Sequence, residues 1–173
     1  EVIASDLDQA ARSLAGGQLD VVVGEVNFLG LWSELETLAV SKLNSFFIAR
    51  ADHPARTQAE VDIATLLSYP LVVPSDRLPT DEEVAQFYTA AGMSPRAPHY
   101  RCDGFSLVRT LVLNTNAIAP VVTYRQATAD MHSQFWVMEN LIPLREYVLG
   151  LALPRSADQS PPVRAFVELF KGY

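Results

Sequence analysis

The chain has 173 residues, of which 49% are hydrophobic and 19% charged, a composition that folds into a globule and excludes a disordered or low-complexity segment. Its formal charge of −7, with thirteen Lys and Arg scattered singly, works against a surface that grips nucleic-acid phosphates. A single cysteine, Cys102, leaves no internal disulfide, and no run approaches the ~18 uninterrupted apolar residues of a membrane span.

The opening residues, EVIASDLDQAARSLAGG, are acidic and amphipathic where an export signal would be basic and then apolar, so a cytoplasmic location is expected. They read as a helix capped by Ser5 with Asp8 three residues on. Leu7, Ala10, Ala11 and Leu14 form its apolar stripe, and Gly16-Gly17 ends it. Leu19 to Val23 reads as a strand closed by Gly24, and its β-branched run suits a central position covered on both faces. Two β-rich stretches follow, Leu35 to Val40 and Phe46 to Ala49, before a turn at Asp52-His53-Pro54.

Further on, a short helix spans about Val61 to Leu67, and the strand Leu71 to Val73 stops at Pro74. Thr80 and Glu83 make a capping box for a helix ending at Gly92. Then come an extended His99 to Cys102, a helix from Asp103 to about Leu113, a strand through Ile118 to Val121, and a helix to about Met131. Strands at Phe135 to Met138 and Tyr147 to Leu153 lead to a last helix, capped by Ser160 with Pro161 in its first turn. The order is α/β throughout.

Catalytic motifs are missing. The chain has no G-x-S-x-G, no H-E-x-x-H and no phosphate-binding Gly-rich loop, so no enzyme is expected. His53, His99 and His132 lie far apart, and none forms a close pair with Cys, Asp or Glu at ligand spacing, which predicts no metal site. Cys102, at a strand-to-helix junction, reads as a packed thiol, and Asp6, Asp8, Glu82 and Glu83 as helix-start acids. What remains is a set of strand-end turns, which in open α/β sheets gather where helix N-termini offer N–H groups to a small polar ligand.

The order of these features resembles the effector-binding domain of LysR-type transcriptional regulators. LAGGQLDVVVG (14–24) matches the family's L-x-x-G-x-L-D strand, FFIARADHPA (46–55) its strand leading to His-Pro, and VDIATLLSYPLVVP (61–74) its helix and strand around a proline. GFSLVRTLVLNTNAIAPVV (104–122) matches its helix, turn and strand, and SPPVRAFVELF (160–170) its closing helix. The resemblance departs at Asn114-Thr115-Asn116, where the family has a small-Gly-x-Gly turn.

This resemblance implies a type 2 periplasmic-binding-protein-like fold of two Rossmann-like lobes joined by two crossing strands. Lobe 1 would comprise 1–49 and 148–173, without the family's first strand and helix, and lobe 2 would comprise 50–147, with hinges near 48–51 and 144–149. The DNA-binding winged helix-turn-helix would lie outside this chain. The implied function is sensing of a small-molecule effector by a homodimer or homotetramer that meets promoter DNA through that other domain, with no cofactor and no membrane. A transport-type solute-binding protein of the same fold is the alternative.

Effector contacts carried over from the family are Gly24, Glu25 and Val26; Ala49; Ser75 and Asp76; Asp103, Gly104 and Phe105; and Pro120 and Val122. Helix starts at Thr80, Asp103 and near Thr123, with Arg77 or Arg125, favour a small organic or aromatic acid, whereas Glu25, Asp76 and Asp103 favour a neutral or amine-bearing ligand.

Overall fold

The computed structural model describes residues 1–74, 79–102, 104–139, 141, 146–155 and 159–171. The chain divides into two compact units, Glu1–Leu43 with Glu146–Tyr173, and Asn44–Arg145.

In the first unit, helix α1 (Leu7–Ala15) is capped by Asp6, whose carboxylate accepts from the Gln9 N–H at 2.8 Å. Ser5, the expected cap, bonds only to the Asp6 carbonyl. Aspartate one residue closer is in register with the third helical N–H, and the helix begins there. Ala10, Ala11 and Leu14 bury against Val22, Leu29, Leu35 and Ala152. Each large side chain so buried contributes roughly 1.5–3 kcal/mol.

Strand β1 (Val22–Glu25) runs into a one-turn helix, α2 (Val26–Leu29), so Gly24 lies inside the strand. Strand β2 (Leu35–Arg50) is one sixteen-residue strand with a register shift between Ala39 and Ser41, not two stretches. Strand β7 (Tyr147–Pro154) lies between β1 and β2, antiparallel to both. Among the described residues β1 pairs with β7 alone, and Val23 is 43% exposed, so the expected central, doubly covered position is corrected to an edge. An apolar run records burial of side chains and is silent on how many backbone edges are paired.

Helix α7 (Pro161–Lys171) covers the other face, where Val167 packs with Leu151 and Leu153. Gly150 is required by the close approach of β2 and α2: a Cβ there would collide with the Leu38 carbonyl oxygen and with Val26.

The second unit starts within β2. Strands β5 (Ala119–Thr123) and β6 (Phe135–Met138) pair antiparallel with it, and β3 (Val72–Pro74) pairs in parallel with β4 (Tyr100–Cys102). A parallel bridge, Leu71 to Ile118, joins β3 to the start of β5, with Val72 N–H donating to the Ile118 carbonyl at 2.9 Å.

The alternating side chains of these strands form two cores. Phe47, Ala49, Leu71, Val73, Ile118 and Met138 pack with helices α3 (Ile63–Leu67) and α4 (Asp81–Ala90). Phe46, Ile48, Val72, Ala119, Val121 and Phe135 pack with α5 (Phe105–Asn114), and Met131 of α6 (Arg125–Gln134) joins them. Period-two strands covered by helices on both faces make this a doubly wound α/β unit. No helix among the described residues is long and apolar enough to cross a membrane.

Candidate functional site

In the first unit the expected contact residues Gly24, Glu25 and Val26 are all buried. Glu25 is only 3% exposed, and its carboxylate is engaged from within the unit. One oxygen accepts from Asn27 N–H at 3.2 Å, Asn27 Nδ2 at 2.8 Å and Val148 N–H at 3.3 Å. The other accepts from Phe28 N–H at 2.8 Å. Four donors satisfy the buried charge and cap α2, a helix too short to hold its own N-terminus without such a partner. The glutamate expected to face a ligand therefore serves the backbone around it.

In the second unit, β3, β4 and β5 point the same way, so their carboxyl ends meet one edge of the sheet. After β4 the chain turns through Gly104, with φ at +76°, into α5. Only glycine enters that conformation without strain. Phe105 is half-buried and Leu107, one residue beyond Ser106, is exposed. After β5 the chain turns through exposed Tyr124 into α6. Pro120 is buried and Val122 half-buried near that end. Ser75, Asp76 and Asp103 lie outside the described residues.

Among the described residues, neither α5 nor α6 has a side-chain hydrogen bond at its N-cap. The contrast with α1 to α4 is sharp: Asp6, Glu25, Asp62 and Thr80 each fill that role. The α4 cap is the expected reciprocal box, with Glu83 N–H donating to Thr80 Oγ1 at 3.2 Å and Thr80 N–H to Glu83 Oε2 at 2.7 Å. Thus, among the described residues, the two helices that open at the carboxyl edge of parallel strands have no side-chain cap on their first N–H groups, a setting that suits a polar or anionic group.

Ala49 is not brought to this edge. It pairs with Trp136 and is fully buried, whereas Val122 pairs with Ser45. Four residues of strand separate the two positions, roughly 13 Å at the usual rise. The part of β2 that does reach the edge is Asn44, paired with Thr123 and donating from Nδ2 to Thr128 Oγ1 at 3.0 Å. Asn44 and Tyr124 went unmarked in the sequence. A polar side chain interrupting a strand, as in KLNSFF, is the signal that points to Asn44.

The far end of this unit is built for stability. His53 is 1% exposed and faces Asn116, whose side-chain oxygen also accepts from Arg50 at 2.9 Å. Thr115 Oγ1 takes the Ala117 N–H, so the Asn114–Asn116 turn is held by its own side chains. Cys102 is a buried free thiol in the core beside α5.

Comparison with known proteins gives a consistent picture. No match was found among curated proteins. Among solved structures the chain is similar to HinK, a LysR family transcriptional regulator from Pseudomonas aeruginosa, at a TM-score of 0.75 and 17% identity. The match covers 99% of this chain and 59% of HinK, so the chain spans about three fifths of that regulator's length. The effector-binding domain of QuiR in complex with shikimate matches at 0.76 and 14% identity, over 98% of this chain and 78% of that one. The C-terminal domain of a probable LysR family regulator from Rhodococcus sp. RHA1 matches at 0.74 and 22%, covering 96% and 80%. These likenesses establish the type 2 periplasmic-binding-protein-like fold. The family model described as the LysR substrate binding domain matches residues 1–173, and with strand order and sequence marks in agreement, the chain belongs to the LysR substrate-binding-domain family.

Proposed function

We propose that this chain is the effector-sensing part of a LysR-type transcriptional regulator, binding a small organic acid without turning it over. Its two lobes are formed from the two compact units, and the regulator works in the cytoplasm as a homo-oligomer that meets promoter DNA through another domain. The observation that carries the ligand reading is the pair of helices, α5 and α6, that open without side-chain caps where parallel strands end. Their N-terminal N–H groups favour a carboxylate. Phe105, Leu107 and Tyr124 supply apolar and aromatic surface for the organic part.

Differential binding to two arrangements of a regulator supplies ~1–3 kcal/mol of coupling, enough to alter transcription. The test is a thermal-shift panel of small aliphatic and aromatic acids, each paired with its neutral amide. A ligand at a hundred times its Kd stabilises by about 2.7 kcal/mol. The expected result is that an acid raises the melting temperature and its amide does not. Equal shifts from acid and amide would overturn the carboxylate assignment, and consumption of the ligand would overturn the non-enzymatic reading.

A further inference from the structure

Two polar side-chain clusters sit at corresponding places in the chain. The first residue after the boundary into the second unit is Asn44, and the first residue after the return is Glu146. Each is joined by side-chain hydrogen bonding to a helix of its own unit that directly follows a strand-end turn.

In the second unit, Asn44 Nδ2 donates to Thr128 Oγ1 at 3.0 Å, one turn into α6. In the first unit, Asn27 Nδ2 in α2 reaches the Glu146 carbonyl at 3.4 Å and the Glu25 carboxylate at 2.8 Å. Glu25 in turn accepts from Val148 N–H. The side chain of Glu146 pairs with Lys42 of β2 at 2.6 Å. Asparagine is disfavoured in strands, so Asn44 is not explained by strand propensity.

We propose that Asn44 and the Glu25–Asn27 pair are tethers, positioning residues that make each crossing segment move together with the helix opening at the strand-end turn of its own unit. This rests on the effector-sensing reading for its use: a ligand that orders the start of α6 then orders the adjoining stretch of β2 through a hydrogen bond. The backbone ladder already joins β2 to β5 and β7 to β1, and the tether adds a direct side-chain link to the helix.

Native-state hydrogen exchange, followed by NMR on the intact 173-residue chain, tests the tethers with no small molecule present. Asn44→Ala is expected to raise exchange about fivefold both in β2 around Asn44 and in the first turns of α6, the effect of losing one typical hydrogen bond. Thr128→Val, which keeps the shape of the side chain, is expected to give the same two-site pattern, and the double variant no more than either single. Asn27→Ala is expected to raise exchange together in α2 and at the start of β7. Exchange that rises only in the helix, effects that add in the double variant, or no change at all would overturn the tethers. Because no ligand enters the measurement, such failure is distinct from failure of the effector reading.

Discussion

The imidazole of His53 lies 3.1 Å from the carbonyl of Asn116, and its other nitrogen accepts the N–H of Ala55 at 3.2 Å. Those two partners settle the tautomer: Nδ1 is the acceptor, so Nε2 carries the proton that is donated to Asn116. One buried side chain therefore caps the 3-10 turn Pro54–Thr57 and anchors the turn before β5, with Tyr69 edge-on at 4.5 Å between ring centroids. His53→Ala is expected to cost about 2–4 kcal/mol, since it leaves a buried N–H and a carbonyl unpaired and opens a void. Urea denaturation measures the loss. His53→Phe, which restores volume alone, should remain well below the parent; equal stability would show that packing and not hydrogen bonding matters there.

Tyr88 presents the opposite case. Its ring is fully buried in the core beneath α4 with the Arg96 guanidinium 5.0 Å from its centroid, yet among the described residues its hydroxyl has no hydrogen-bond partner. An unsatisfied buried hydroxyl costs about 1–3 kcal/mol. Tyr88→Phe is expected to raise stability by about 1 kcal/mol, read as a higher denaturation midpoint at unchanged slope. A lower midpoint would mean that the hydroxyl is satisfied in solution.

The cap of α3 predicts a dependence on acid. Asp62 Oδ1 accepts the Thr65 N–H at 2.7 Å, and this bond, with one from the Thr65 side chain, holds the carboxyl below its ordinary value of 3.8. A depressed folded pKa stabilises above the unfolded value, and the contribution is lost as pH falls through the folded value. Below pH 3.8 the parent should therefore lose stability faster than Asp62→Asn, whose amide oxygen caps without titrating. Parallel curves for the two proteins from pH 6 to about 2.5 would refute the contribution.

Local chemistry made much of the chain readable before any coordinates. The Thr80–Glu83 box, the strand at Phe135–Met138 and the Pro161 helix start stand where residue type and spacing put them, because caps and short periods act over a few residues. The α/β order and the family marks followed from the same signals, and so did the notion that strand-end turns are the places to look for a ligand.

Other features depend on residues far apart in the chain. The Val148 N–H that meets Glu25 and the Trp136 that stands opposite Ala49 are set by strand register. The strand 22–25 reads as central until β7 is seen as its single partner among the described residues. Burial and propensity are written into each side chain, so element type and the buried face are legible from sequence alone. Pairing and register depend on which backbone edges meet, and backbone edges are chemically alike at every residue except proline, so only the folded arrangement assigns them.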